Sequence, residues 1–319
     1  MPVLDNFVIE RSLTVVPKAV PAWYAFAMRE ERHVIGRYAP SPTGPQHLGN
    51  LRTALLAWLH ARLHQGEFLI RMEDVDTPRV VDGCDSQILR DLEWLGLDWD
   101  GPVMYQSTRA NRYQEILNDL AERELSYPCF CSRKDIRLAS SAPHGAMGGY
   151  PGTCANINTN DSERLIHHKQ SAIRVRTKGR LVDDCGDFVL HRADGLYAYQ
   201  LAVVVDDVDQ EITHVVRGDD LASSTARQLY LANLIRPSQN SIEYHHVPLM
   251  MDPSGYKMSK RDGSFSVQQW RDSNRSAEEL VGYLTHSIGL SQCSSAISVT
   301  DLRNDSSLSS LNAVLNNEV

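Results

Sequence analysis

The chain has 319 residues, 42% hydrophobic and 23% charged, a composition that excludes wholesale disorder and fits one large domain or two modest ones. With 32 Lys+Arg against 40 Asp+Glu the formal net charge is −8, so a chain-wide basic coat is excluded and any nucleic-acid face must be local. No apolar run approaches the ~20 residues that span a bilayer, and six cysteines are too sparse for a disulfide scaffold, which points to reduced thiols in a cytoplasm.

The first 32 residues do not read as a signal peptide, because Asp5, Glu10, Arg11 and Lys18 break up any apolar core. Pattern begins after Met28, in MREERHVIGRYAPSP, so residues 1–27 are expected to be an extension, or Met28 to be the true start. Sequencing the native N-terminus separates the two; a terminus at residue 1 or 2 excludes the second.

Beyond this point strand-like and helix-like segments alternate. HVIGRYA (33–39) reads as a buried strand, and LRTALLAWLHARLHQ (51–65) as a helix stopped by Gly66. FLIRME (68–73) is a second strand, SQILRDLEWLGL (86–97) a helix and VMYQ (103–106) an extended piece. Ser107 is the expected cap of a helix running to about Leu125. AIRVRT (172–177), LAVVVDDV (201–208) and ITHVVRG (212–218) are further apolar, strand-like segments, followed by a helix near 222–234. This rhythm implies an α/β fold: a parallel sheet with helices on both faces. The end of the chain, SSAISVTDLRNDSSLSSLNAVLNNEV, is rich in Ser and Asn and reads as a flexible tail.

The turn APSPTGPQHLGN (39–50) joins the first strand to the first helix. A helix N-terminus after a parallel strand is an anion site, through its unpaired N–H groups and its dipole. His47, just ahead of the helix, is placed to donate to a phosphate oxygen. Far downstream, YKMSKRDG (256–263) carries two lysines and an arginine in a Ser/Gly-containing loop. Alone, the first element is an ordinary turn and the second a solvated basic face. Together they suit a reaction in which a mobile lysine neutralises charge growing on a leaving pyrophosphate.

His47-Leu48-Gly49-Asn50 and Lys257-Met258-Ser259-Lys260, about 210 residues apart, resemble the HIGH and KMSKS signatures of class I aminoacyl-tRNA synthetases. GRYAPSPTGPQHLGNLRTAL, FLIRMEDVDTPR, YQLAVVVDDVDQEITHVVRGDDL and KMSKRDG are similar to the glutamyl-tRNA synthetase group, a resemblance running from Val34 to Gly263. Asn50 departs from the fullest motif, which has a second histidine; tuning of ATP binding is expected rather than its loss. The chain ends 319 − 260 = 59 residues after Lys260, too few for a helical anticodon-binding region. The shortened pattern resembles glutamyl-Q tRNA(Asp) synthetases, which attach glutamate to queuosine in the anticodon of tRNA(Asp). Alternatives are a truncated glutamyl-tRNA synthetase charging the tRNA 3′ end, a nucleotidyltransferase with a related histidine turn, and a non-catalytic RNA-binding paralogue.

The resemblance implies a Rossmann-like catalytic domain with a zinc-binding insertion and a helical C-terminal part. The expected division is 1–32 extension, 33–127 and 172–242 the two catalytic halves, 128–171 the insertion, 243–290 the KMSKS loop and helical segment, and 291–319 the tail. It also implies glutamate contacts from Arg37, Ser41, Glu73, Tyr199 and Arg217, all near expected strand ends. Two guanidiniums and one carboxylate suit two carboxylates and one ammonium. ATP contacts are implied for His47, Gly49, Asn50, Lys257 and Lys260, with Mg2+ accompanying ATP, and His47 and Lys260 as the catalytic pair.

In YPCFCSRKD and the glycine-rich return GAMGGYPGTC, Cys129, Cys131 and Cys154 offer three thiolates, and structural Zn2+ takes four ligands. Residue chemistry nominates His144 as the fourth; the family pattern nominates Tyr150. Cys84, Cys185 and Cys293 lack partner spacing.

The implied reaction has two steps: attack of the glutamate α-carboxylate on the α-phosphorus of ATP, then attack of a queuosine ring hydroxyl on the glutamyl-adenylate. The attacking carboxylate is already ionised near neutral pH, so the first step needs no general base. Lys260→Ala is expected to depress adenylate formation far more than glutamate binding, measured by pyrophosphate exchange against glutamate titration. The expected partners are ATP, L-glutamate and queuosine-containing tRNA(Asp), with no membrane, for a cytoplasmic monomer.

Overall fold

The computed structural model describes residues 33–140, 150–177, 186–237, 242–251 and 266–316. The chain divides at His33/Val34 into two units, and every element below belongs to Val34–Val319. The N-terminal extension, the basic loop with Lys257 and Lys260, His144 and Cys185 lie outside the described residues.

Five parallel strands form the main sheet: β1 Ile35–Tyr38, β2 Glu67–Met72, β3 Met104–Tyr105, β7 His214–Gly218 and β8 Glu243–Val247, in the order β3-β2-β1-β7-β8. The period of two along β2 sorts its residues. Phe68, Ile70 and Met72 are fully buried in the core that also holds helix α1 (Leu48–Leu63), while Leu69 and Arg71 take the opposite face. Helix α1 buries Leu51, Ala54, Leu55, Leu56, Ala57, Trp58, Leu59 and Ala61. A helix buried this completely is central, as expected of one apolar nearly all round.

Helices α2 (Cys84–Leu95) and α3 (Ala110–Glu122) follow in the first half. A second, antiparallel sheet of β4 (Ser126–Cys129), β5 (Ala172–Val175) and β6 (Val189–His191) carries the inserted segment, with α4 (Arg133–Ser140) and α5 (Thr159–Ile166) between its first two strands.

Two expectations need correction. LAVVVDDV is not a strand but most of α6, Tyr199–Asp209. Its valines favour strands locally, but Leu201 to Val208 are all buried, and a short apolar run buried all round does not distinguish strand from helix. Ser107 does not cap α3, which begins after Arg109. Its N–H and hydroxyl instead donate to Asp74, at 2.8 and 2.6 Å. The helix near 222–234 is α7, Thr225–Ile235, preceded by a 3-10 turn over Asp219–Ser224.

The expected tail is also folded where it is described. After α8 (Val267–Asp272) and α9 (Ala277–His286) come α10 (Val299–Asp305) and α11 (Leu308–Leu315). Val299, Leu302, Leu311, Val314 and Leu315 are buried in the core around α1, each worth about 1.5–3 kcal/mol relative to exposure. The serines that suggest disorder act as caps: Ser298 accepts from the Asp301 N–H, and Ser307 forms a capping box with Ser310.

Candidate active site

A cleft of about 390 Å³ opens at the C-terminal edge of the parallel sheet, between β1 and β7. Connections leave the two strands toward opposite sides of the sheet here, which is where ligands bind in open α/β sheets. Arg37, Ser41, His47, Gly49, Asn50, Glu73, Tyr199 and Arg217 all line it. The structure thus gathers every described residue expected to contact glutamate or ATP.

His47 is the N-cap of α1: its Nδ1 accepts from the Asn50 N–H at 3.3 Å. In the neutral ring this leaves the proton on Nε2, the donor a phosphate oxygen needs. A side chain at Gly49 would place its Cβ 3.1 Å from the His47 ring, so glycine keeps that ring in place. Asn50 donates to Gln46 Oε1 at 2.6 Å, and the Tyr38 hydroxyl donates to the same oxygen at 3.0 Å. The amide at position 50 is thereby tied to the buried Gln46.

His47 also pairs through its backbone with Ser266, the N-cap of α8. Met250 packs near Gly49, and Arg52 of α1 donates to the Pro248 carbonyl and, at 3.3 Å, to the Ser287 hydroxyl. The described chain on both sides of residues 252–265 therefore sits beside the start of α1. His47→Ala is expected to reduce pyrophosphate exchange about 10²-fold, the scale of losing one positioned donor. His47→Asn keeps a cap, so equal melting temperature with equally poor exchange separates donation from folding.

The two arginines are held differently. Arg37 Nε donates to Asp207 Oδ1 at 3.3 Å, with the side chain 6% exposed. Arg217 donates to His246 Nε2 (3.2 Å), Gln228 Oε1 (2.5 Å), the Leu221 carbonyl (3.1 Å) and Thr225 Oγ1 (2.7 Å), and lies over the Tyr244 ring. Burial lowers the pKa of Arg217, with partial relief from Tyr199 and Tyr244. Glu73 follows β2; burial raises its carboxyl above the ordinary range, and Arg71 and Arg37 oppose that shift. Tyr199 opens α6, its hydroxyl pushed up by burial and by Glu73.

Beneath the cleft is a charge network the motifs do not reveal. Arg71 donates to Asp207 Oδ1 at 2.7 Å and lies 3.5 Å from Glu73. Asp206 accepts from Arg109 (3.0 Å), Gln106 (2.9 Å) and the Tyr113 hydroxyl (2.7 Å). Burial alone would raise the Asp207 carboxyl, but Arg37 and Arg71 outweigh it and hold it below the usual range. The signal for this network is the Asp206-Asp207 pair inside an otherwise apolar run, since buried carboxylates need charged partners.

Away from the cleft, the Sγ atoms of Cys129, Cys131 and Cys154 lie within 4.8 Å of one another. The Tyr150 hydroxyl is 3.3 Å from Cys129 Sγ and 3.8 Å from Cys131 Sγ, and accepts from the Cys154 N–H at 2.9 Å. The Arg174 guanidinium lies 3.8 Å above the Tyr150 ring, while burial and the neighbouring Cys129 thiol push the phenol above its ordinary value. Burial and the neighbouring Cys154 thiol push Cys131 up to about 11. Three thiols and a phenol converging on one point fit a tetrahedral metal site.

Comparison with known proteins bears on this arrangement. The family described as tRNA synthetases class I (E and Q), catalytic domain, matches residues 33–301. A glutamyl-Q tRNA(Asp) synthetase of Nocardia farcinica is 46% identical over 80% of this chain and 85% of its own length. One from Geobacter sulfurreducens is 47% identical over 76% and 80%. The chain belongs to the glutamyl-Q tRNA(Asp) synthetase family, within the class I tRNA synthetases. It is an ATP-dependent ligase of that class. Among solved structures, the glutamate-tRNA synthetase of Elizabethkingia anophelis is similar at a TM-score of 0.71 and 26% identity, covering 87% of this chain. The chain spans 66% of that enzyme's length. Among the described residues no helix is long and apolar enough to cross a membrane.

Proposed function

We propose that this ligase activates L-glutamate with ATP and transfers it to queuosine in the anticodon of tRNA(Asp). The observation that carries the reading is the charge pattern of one cleft: the guanidiniums of Arg37 and Arg217 and the carboxylate of Glu73, beside the N-terminus of α1. Two cations and one anion complement glutamate, and the helix N-terminus with His47 suits the phosphates of ATP.

In the first step Arg37 and Arg217 hold the glutamate carboxylates and Glu73 its ammonium, with Ser41 and Tyr199 as neutral hydrogen-bonding groups. An α-carboxylate oxygen attacks the α-phosphorus of ATP and pyrophosphate leaves. His47 Nε2–H, Gly49, Asn50, Lys257 and Lys260 steady the phosphates, so catalysis is positioning and charge stabilisation. In the second step a ring hydroxyl of queuosine attacks the activated carbonyl, forming an ester and releasing AMP. Magnesium bound with ATP supplies charge neutralisation at the phosphates. Cys129, Cys131, Tyr150 and Cys154 hold one structural zinc; native mass spectrometry is expected to show one such ion, lost on Cys131→Ser. The enzyme works as a cytoplasmic monomer.

The test is ATP–pyrophosphate exchange measured with and without tRNA. Exchange that requires glutamate, and that glutamine or aspartate does not support, is expected. Exchange driven equally by glutamine contradicts the reading. The likeness to a glutamate-tRNA synthetase favours a second reading, charging of the tRNA 3′ end.

A further inference from the structure

Arg52, on the second turn of α1, is 4% exposed and lines the cleft with His47, Gly49 and Thr53. Burial pulls its pKa down to about 10, opposed by Tyr283 of α9, so the guanidinium is still charged at neutral pH. No carboxylate among the described residues forms an ion pair with it. A buried charge needs compensation, and here backbone carbonyls and a hydroxyl supply it.

These acceptors come from two distant parts of the chain. Nη2 of Arg52 donates to the Pro248 carbonyl, and Nη1 is shared between the Ser287 carbonyl at 3.4 Å and the Ser287 hydroxyl at 3.3 Å. Ser287 is the C-cap of α9. The last carbonyls of a helix lack intrahelical partners and carry the negative end of its dipole. At this terminus the Leu284 carbonyl accepts from the Ser287 hydroxyl at 2.7 Å, that of Thr285 from the Leu290 N–H at 3.0 Å, and that of His286 from the Gly289 N–H at 3.1 Å. The Ser287 carbonyl takes Arg52. The end of α9 therefore acts as counter-charge to a guanidinium that reaches it from α1.

Pro248 follows directly on β8, and Pro248, Leu249 and Met250 form a wall of the cleft. Met250 Cβ lies 3.6 Å from the point where a side chain on Gly49 would begin, and the His47 ring lies 3.1 Å from the same point. A shift of this wall is thus felt at the N-terminus of α1, the end of the cleft assigned to the phosphates of ATP. The glutamate end is fastened separately: Arg217 donates to Gln228, Leu221 and Thr225, none of which Arg52 contacts. We propose that Arg52 is a positioning residue for ATP, pinning the Pro248–Met250 wall to α1 while the end of α9 balances its charge. The C-terminal helices thereby become part of the support of the ATP site. The proposal rests on the assignment of this end of the cleft to ATP. The role suits arginine, whose planar fork donates to two elements at once, where lysine offers a single point of charge.

The test titrates the purified full chain by calorimetry with ATP alone and, separately, with glutamate alone. Arg52→Met is expected to weaken ATP binding about tenfold, the scale of one lost hydrogen bond from a charged group, and to leave glutamate affinity within about twofold. Arg52→Lys keeps a cation for one of the acceptors and is expected to weaken ATP binding only about threefold. It also reads the role if the methionine variant does not fold. Arg62→Met removes another largely buried arginine, in the last turn of α1, whose partners are Asp98 and Asp100. Its melting temperature is expected to fall while its ATP affinity stays that of the parent. ATP affinity unchanged in the Arg52 variants, a loss shared equally with glutamate, or an equal loss in Arg62→Met overturns the proposal. A parent whose pyrophosphate exchange is not specific for glutamate contradicts the functional reading instead, and leaves the ATP titrations to decide the role of Arg52.

Discussion

Arg37→Ala is expected to lower kcat/KM for glutamate by about 10³-fold, with most of the loss in KM. The guanidinium sits at the cleft with its Nε bound to Asp207 and its side chain 6% exposed, so a carboxylate it binds is held away from water. Removing one partner of a buried charge pair costs about 3–5 kcal/mol, and each 1.4 kcal/mol is a factor of ten. Arg37→Lys keeps the charge but loses the fork that meets a carboxylate through two bonds, so it is expected to recover only part of the loss. Glutamate titrations followed by pyrophosphate exchange measure both. A loss confined to the KM of ATP would assign Arg37 to the wrong substrate.

Arg71→Met is expected to destabilise the fold by about 3–5 kcal/mol, because it leaves Asp206, Asp207 and Glu73 near one another without a central cation. Arg71 is fully buried, so water cannot take its place. The exposed Arg123–Asp119 pair serves as control: Arg123→Met is expected to cost no more than about 1 kcal/mol. Urea unfolding compares the two. The network also sets an acid sensitivity. Asp207 is held below its unfolded value of about 3.9, so its contribution is present above that pH and is lost as pH falls through the depressed folded value. An Arg71→Met protein as stable as the parent would show that the network does not hold α6 to the sheet.

The same two arginines show what sequence reading reaches and what it misses. Arg37 is visible because it ends an apolar strand within a motif-bearing segment, and the structure does place it at the cleft. Arg71 lies inside FLIRME, where one charged residue in an apolar run gives no hint of its partners. Those partners are Asp206 and Asp207, about 135 residues away on α6, a segment whose valines read as a strand. The parallel sheet, α1 and the turn that leads into it are readable because local period and turn chemistry agree with the tertiary arrangement. α10 and α11 are not, because serines that cap helices have the same composition as serines in a tail.

The decisive measurement is transfer of radiolabelled glutamate to tRNA(Asp) prepared with and without queuosine. Labelling that requires queuosine, and that survives periodate-free mild conditions with the tRNA 3′ end blocked, is the predicted result. Labelling that ignores queuosine and disappears when the 3′ end is blocked would contradict it and make the chain a 3′-end-charging glutamyl-tRNA synthetase.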